Sequence, residues 1–140
     1  MTGETKFVQG TPDWFHMIGK ILTDAAASAG LAPETNASFV ERYSDGKELS
    51  DGLIQGIRLD IIAGKPSYRI GAAPDEKGDI NVLVTADAAR QLNAYYSVDP
   101  KFLELQARYQ ASGEWQVDGD LARLGNWLAG AHDPIVARTK

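Results

Sequence analysis

Apolar residues recur at three- and four-residue spacing in the first third of the chain, and this period predicts a helix. The recurring positions are Trp14, Ile18, Ile21, Leu22, Ala25 and Ala29. Thr11 is suited to cap the helix, Pro12 to open it and Gly30 to end it. We therefore predict a first helix over residues 12–29, preceded by a short N-terminal arm over residues 1–11.

In the middle of the chain the period changes to two, which is typical of half-buried strands. The alternating apolar sets are Ile57, Leu59 and Ile61, then Tyr68 and Ile70, and finally Ile80, Val82 and Val84. Turn residues from Gly64 to Pro66 separate the first two sets and predict a hairpin. Bulky and β-branched residues from Ser38 to Tyr43 predict a further strand before it.

Helical spacing returns at Ala86 and predicts two short helices, the second opened by Asp99 and Pro100. We predict that residues 113–118 form a strand, followed by a final helix that ends near His132. The apolar face of this final helix holds Leu121, Leu124, Trp127, Leu128 and Ala131. The order of helix, four strands, two helices, strand and helix indicates an α+β fold, with a single domain spanning residues 1–140.

Charge and cysteine content narrow the function classes. The formal net charge of −5 argues against a nucleic acid and against an anionic membrane surface as partner, since both need clustered Lys and Arg. The chain has no cysteine, which excludes disulfides and a thiol nucleophile. No stretch resembles a secretory signal or approaches the roughly 18 apolar residues of a membrane span. We expect a soluble, cytoplasmic protein without stable membrane insertion.

Three segments resemble the sterol-carrier-protein-2-like (SCP2-like) lipid-binding family in their order and spacing. They are residues 55–62, residues 79–85 with the pattern D-I-x-V-x-V-T, and residues 113–120 with the pattern G-x-x-x-V-x-G-D. In the family, the second pattern precedes a helix and the third precedes the last helix. The final residues, Ala137 to Lys140, are not a peroxisomal address, so the chain is most similar to a stand-alone bacterial-type member.

The resemblance implies a five-stranded, mostly antiparallel sheet that is covered by helices and encloses an apolar cavity. It implies a protein that binds a fatty acyl, sterol, steroid or terpenoid ligand and carries or presents it. We expect no cofactor and no metal. Two alternatives stay open: a small enzyme acting on a hydrophobic substrate in the same cavity, and an accessory subunit of a lipid-metabolising partner enzyme. The sequence is compatible with a homodimer but does not select one.

The candidate ligand-binding residues are apolar or aromatic and lie on the predicted C-terminal elements. They are Leu92, Tyr95, Phe102, Leu105, Tyr109, Trp115 and Trp127. Aromatic side chains offer large apolar areas, and a tyrosine hydroxyl adds a group that a ligand oxygen could pair with. For any one of these residues, an ordinary core position is the simpler interpretation.

Few charged residues have a spacing that suits catalysis. Asp13 and His16 share a helix face at i,i+3 and are the most enzyme-like pair, although a surface ion pair explains them better. His132 and Asp133 are adjacent and cannot easily hold one proton or metal between them, so we interpret them as the end of the last helix.

Other charged residues are assigned to turns, caps or solvent. We interpret Asp118 as a turn residue and Asp120 as a helix cap, because a calcium loop needs more oxygen ligands. Glu41, Arg42 and the charges between Asp75 and Gly78 are expected to be solvated.

Overall fold

The computed structural model describes residues 5–140, and the predicted α+β fold is confirmed. The helices are α1 (Pro12–Ser28), α2 (Ala86–Leu92), α3 (Pro100–Ser112) and α4 (His132–Ala137). The strands are β1 (Ala37–Tyr43), β2 (Glu48–Ser50), β3 (Leu53–Ile62), β4 (Lys65–Ala72), β5 (Ile80–Val84) and β6 (Trp115–Asp118). Residues 1–4 of the predicted N-terminal arm lie outside the described residues.

The strands form one sheet in the order β4, β3, β1, β5, β6, and the short β2 pairs with the start of β3. β1 and β5 are parallel, because the β2–β4 segment forms the crossover between them, and the other pairs are antiparallel. The sequence predicts five strands, and the additional one is β2. Its three residues are too few to produce a recognisable period.

The predicted hairpin between β3 and β4 is confirmed, with its turn slightly earlier than expected. Ala63 and Gly64 both have positive φ, at 53° and 78°, as a two-residue hairpin turn requires. Pro66 therefore already belongs to β4, opposite Ile61. A proline is tolerated there because β4 is an edge strand.

Helix α1 begins as predicted and packs against β3 and β4. The Trp14 backbone N–H donates to the Thr11 hydroxyl at 3.3 Å, which completes the N-terminal cap. Gly19 lies against the Tyr68 ring, where a Cβ would come within 2.3 Å of Cδ2. Only glycine permits this close approach of the helix backbone to the edge strand.

The predicted last helix is wrong in extent and position. Residues 121–123 and 129–131 form only single 3-10 turns, and α4 begins at His132, where the helix was expected to end. Gly125 has a φ of 108°, which interrupts the helical path, and Pro134 stands in the first turn of α4, where proline is tolerated. The predicted apolar residues still face inward: Leu124 and Ala131 are buried, and Leu121, Trp127 and Leu128 pack against the core.

The first of the two helices predicted after Ala86 is short. Helix α2 ends at Leu92, with Asn93 as its C-terminal cap, so the two tyrosines that follow lie in a connecting loop. Tyr95 is half-buried against the core, and Tyr96 is 48% exposed. The loop leads to Asp99, whose side chain caps α3 as predicted.

Candidate functional site

A cavity of about 500 Å³ lies between one face of the sheet, helix α1 and the C-terminal part of the chain. Its wall is mainly apolar. The C-terminal contribution comes from α2, α3 and the turn-rich segment that replaces the predicted last helix. That segment lines the cavity from separate turns, with Leu121 and Ala122 in the first 3-10 turn and Ala129 and Ala131 in the second.

The sheet wall of the cavity follows the alternation of the central strands. On β1 the side chains facing the cavity are Phe39, Glu41 and Tyr43, two residues apart. Their neighbours on the same face are Ile57 of β3 and Val82 and Val84 of β5, and Trp115 of β6 lies at the far edge.

The opposite wall begins with the buried face of α1. Trp14, Phe15, Ile18 and Leu22 project from this helix toward the sheet and line the cavity. Six apolar residues of the C-terminal segment complete the wall: Leu121, Ala122, Leu128, Ala129, Ala131 and Ile135. Two tryptophans, Trp14 and Trp115, therefore border the same space.

Of the seven predicted ligand-binding residues, Leu92, Phe102 and Trp115 line the cavity. The other four lie elsewhere in the interior. Leu105 and Tyr109 are buried in the core, at 3% and 6% exposure, while Tyr95 and Trp127 are half-buried against it. Sequence reasoning missed the contribution of α1, although the period that predicted the helix also gave its apolar face.

Polar groups are spread around the cavity wall. The Tyr43 hydroxyl accepts a hydrogen bond from Gln9 Nε2 at 3.3 Å, and burial, the largest influence, raises its pKa. His132 Nε2 lies 2.9 Å from the carbonyl oxygen of Tyr95, so this nitrogen carries the proton in that contact. The imidazole ring also lies against Phe102, with ring centroids 4.3 Å apart.

Asp133, the neighbour of His132, does not line the cavity, and its carboxylate binds Ser97. Its carboxylate accepts from the Ser97 backbone N–H at 2.7 Å and from the Ser97 hydroxyl at 2.8 Å. The backbone hydrogen bond is the larger influence, and together the two lower the pKa of Asp133. The pair predicted to end a helix instead begins one and joins α4 to the loop after α2.

Glu41 was expected to be solvated, and this prediction is wrong. Its side chain lines the cavity between Ile57 and Val82, which are its partners on the two adjacent strands. Burial raises the pKa of Glu41 to about 7, because an apolar environment disfavours the charged carboxylate. The sequence did contain a signal: Glu41 is two residues from both Phe39 and Tyr43, so strand alternation places all three on one face.

Glu76, in the segment also expected to be solvated, is mostly covered. It forms ion pairs with Arg58, at 2.9 Å, and with Arg69. It also accepts from the Ala73 backbone N–H at 3.0 Å. These residues lie on the polar face of the sheet, away from the cavity. Arg58 follows the cavity-facing Ile57 on β3 and therefore points to the opposite face, and Arg69 of β4 is paired with Arg58. Three hydrogen-bond donors satisfy the carboxylate, which makes the position structural.

The enzyme-like pair Asp13 and His16 lies outside the cavity, in a separate surface groove next to Tyr68. Both side chains are exposed. His16 Nδ1 lies 3.1 Å from the Tyr68 hydroxyl, and no hydrogen bond or ion pair joins Asp13 to His16 in the described structure. The structure therefore does not bring the pair together as a catalytic dyad.

Asp118 and Asp120 have the local surroundings of a turn and a cap. Gly119 between them has a φ of 102°, and Asp120 accepts from the Ala122 backbone N–H at 2.9 Å, which caps the first 3-10 turn as predicted for a helix. Among residues 5–140, no cluster of three or more His, Cys, Asp or Glu side chains could hold a metal ion. Within the same range, no helix is both long and apolar enough to cross a membrane.

Neither a protein-family model nor a curated protein matches the chain. Among solved structures, a double mutant of the sec-alkyl sulfatase PisA1 is similar, with 23% identity and a TM-score of 0.50, over 85% of this chain but only 16% of that one. A protein from Thermus thermophilus described as possibly a sterol carrier protein has 16% identity and a TM-score of 0.49, over 98% of this chain and 92% of that one. A crystal structure of sterol carrier protein 2 has 14% identity and a TM-score of 0.49, over 93% and 97%. The similarity to the sulfatase structure concerns the fold alone.

Proposed function

We propose that the chain binds a hydrophobic small molecule in its cavity and carries or presents it. The observation that supports the proposal is the mainly apolar cavity of about 500 Å³ between the sheet and the C-terminal segment. Ligand pockets commonly have this size and this apolar character. A bound apolar molecule would make dispersion contacts with this wall.

The proposed ligand classes are those that the sequence resemblance implies: a fatty acyl compound, a sterol or steroid, or a terpenoid. Burial of apolar surface contributes about 25 cal/mol per Å², so such ligands can bind without any reacting group in the protein. We assign direct ligand contact to Leu92, Phe102 and Trp115, and a supporting role behind the wall to Leu105 and Tyr109.

Native mass spectrometry of the purified full chain tests this proposal, followed by organic extraction and identification of the released molecule. An intact, stoichiometric apolar ligand would support the carrier function. A ligand recovered together with its chemically altered product would indicate an enzyme. A protein that is purified empty, and that also fails to bind added fatty acids, sterols and terpenoids, would contradict the proposal.

The position of the bound ligand can be tested by filling the cavity. Leu92 lines the cavity, so Leu92→Trp is expected to weaken binding about tenfold, which corresponds to about 1.4 kcal/mol. The matched control is Leu103→Trp on the exposed side of α3, where Leu103 is 59% exposed. Binding can be followed through the intrinsic fluorescence of the wild type, because Trp14 and Trp115 border the cavity, and by calorimetry for both variants. Equal weakening by the two variants would place the ligand elsewhere.

A further inference from the structure

We propose that Glu41 is the polar anchor of the cavity and that it selects apolar ligands bearing a neutral hydroxyl group. This inference rests on the proposed ligand binding, since it concerns the same cavity. It adds the chemical group of the ligand and the residue that recognises it.

The position of Glu41 carries the argument. It lies on β1, a central strand, and its neighbours across both strand pairings are the apolar residues Ile57 and Val82. All three line the cavity. In the described structure, no side chain or backbone group donates a hydrogen bond to the Glu41 carboxyl, and no cationic side chain forms an ion pair with it. The carboxyl therefore faces the cavity without a protein partner.

A carboxyl group at this position opposes stability. Placing an unpaired polar group against an apolar wall costs free energy, and the cost is larger for a charged group than for a neutral one. Leucine or isoleucine would extend the apolar face formed by Phe39, Ile57 and Val82. A group that is unfavourable for folding and directed into a cavity is typical of a functional position.

The chemistry of the carboxyl favours a hydroxyl as its partner. A hydroxyl both donates and accepts, so it can pair with the protonated and with the ionised carboxyl, and both forms are present near neutral pH because burial raises the pKa of Glu41 to about 7. An ionised fatty acid would place a second negative charge beside the carboxyl. An ammonium group has donors but no acceptor, so it cannot accept the proton of the neutral carboxyl.

The test compares ligands with one chain length and different ends: n-decanol, n-decyl methyl ether, n-decylamine and n-decanoic acid. Their affinities for the delipidated full chain are measured by calorimetry near neutral pH. The ether keeps the oxygen and lacks the donor proton, so the comparison isolates the hydrogen bond that the ligand donates to the Glu41 carboxyl. We expect the alcohol to bind about tenfold more tightly than the ether, the effect of about 1.4 kcal/mol from one hydrogen bond.

Substitutions then assign this preference to one residue. Glu41→Leu should remove the preference for the alcohol. Glu41→Gln should keep part of this preference, because the amide oxygen still accepts a hydrogen bond. The control, Glu48→Leu on the exposed strand β2, should leave the preference unchanged. Failure of all four compounds to bind would overturn the role of Glu41, and failure of added fatty acids, sterols and terpenoids as well would contradict the proposed function itself. Equal affinity for alcohol and ether, tightest binding of the amine or the acid, or a preference that survives Glu41→Leu would overturn the role of Glu41 while leaving ligand binding intact.

Discussion

The two faces of the sheet each hold a glutamate, and the environments of these two side chains are opposite. On the cavity face, Glu41 stands between Ile57 and Val82 without a partner, and burial raises its pKa to about 7. On the other face, Glu76 is bound by Arg58, Arg69 and the Ala73 backbone N–H. Burial of Glu76 alone would raise its pKa, but these hydrogen bonds outweigh it and lower the pKa.

The contrast separates a structural carboxylate from one that is available to a ligand. The groups around Glu76 satisfy its oxygens and link β3 and β4 to the following loop, so removing it should damage the fold. Glu41 makes no comparable contact, so removing its charge should strengthen the fold and alter only what the cavity binds. Both residues are glutamates of intermediate exposure. Glu41 is desolvated on the apolar cavity wall and has no partner, whereas Glu76 is less desolvated and has three hydrogen-bond donors.

The largest expected effect is the pH-dependent gain in stability of Glu41→Gln. The folded-state pKa of Glu41 is raised from 4.5 to about 7, so the wild type loses stability as the pH rises through this window and the carboxyl tends to ionise. At 1.36 kcal/mol per pKa unit, the difference in unfolding free energy between variant and wild type should shift by about 3 kcal/mol in favour of Glu41→Gln between pH 4 and pH 8. Urea unfolding at a series of pH values measures it.

The other titratable groups that line the cavity are Tyr43 and His132. Both are retained in Glu41→Gln, so their own titrations largely cancel in the difference. Glu48→Gln, at an exposed position on β2, is the control. A curve for Glu41→Gln that is no steeper than the control curve would mean that the Glu41 carboxyl is solvated and would remove the basis of the contrast.

The next largest effect is the loss of stability in Glu76→Ala. This change leaves Arg58 without one of its two carboxylate partners and the Ala73 N–H without an acceptor. We expect a loss of about 2 kcal/mol, below the range for a fully buried pair because Arg69 is 46% exposed. Asp75→Ala, at the exposed neighbouring residue, should change the unfolding free energy by less than about 0.5 kcal/mol. Equal effects would show that the network does not stabilise the fold.

The parts of the fold that could be predicted are those with a sustained period. Helix α1 and strands β3, β4 and β5 follow clear 3.6- or 2-residue patterns. The C-terminal segment also has helical spacing from Leu121 to Ala131, yet it folds as separate turns. Apolar residues three and four apart can face a core from such turns as well as from a helix, and the positive φ of Gly125 decides between them.

Part of the cavity wall could be predicted from the sequence. Sequence patterns identify the apolar face of an element more readily than a charged residue that lies on that face. Leu92, Phe102 and Trp115 are on the cavity wall as the predicted site requires. Glu41 was assigned to solvent because a charged residue is usually exposed. Its position on β1 gave the correct face, but the pairing of β1 with two apolar strands arises from long-range topology, which local spacing does not specify.

The smallest expected effect is the pH dependence of Glu76→Gln, which should have the opposite sign to that of Glu41→Gln. A lowered folded-state pKa means that Glu76 contributes stability above the pKa it has in the unfolded chain, and that this contribution is lost as the pH falls through its folded-state pKa. The advantage of the wild type over Glu76→Gln should therefore be largest at neutral pH and shrink on acidification. Because Arg58 and Arg69 are partly exposed, the change should be smaller than for Glu41. Urea unfolding of Glu41→Gln and Glu76→Gln on one pH series measures this pH dependence, with Asp75→Asn as the control. Difference curves of the same sign for the two variants would contradict the assignment of opposite environments to the two faces.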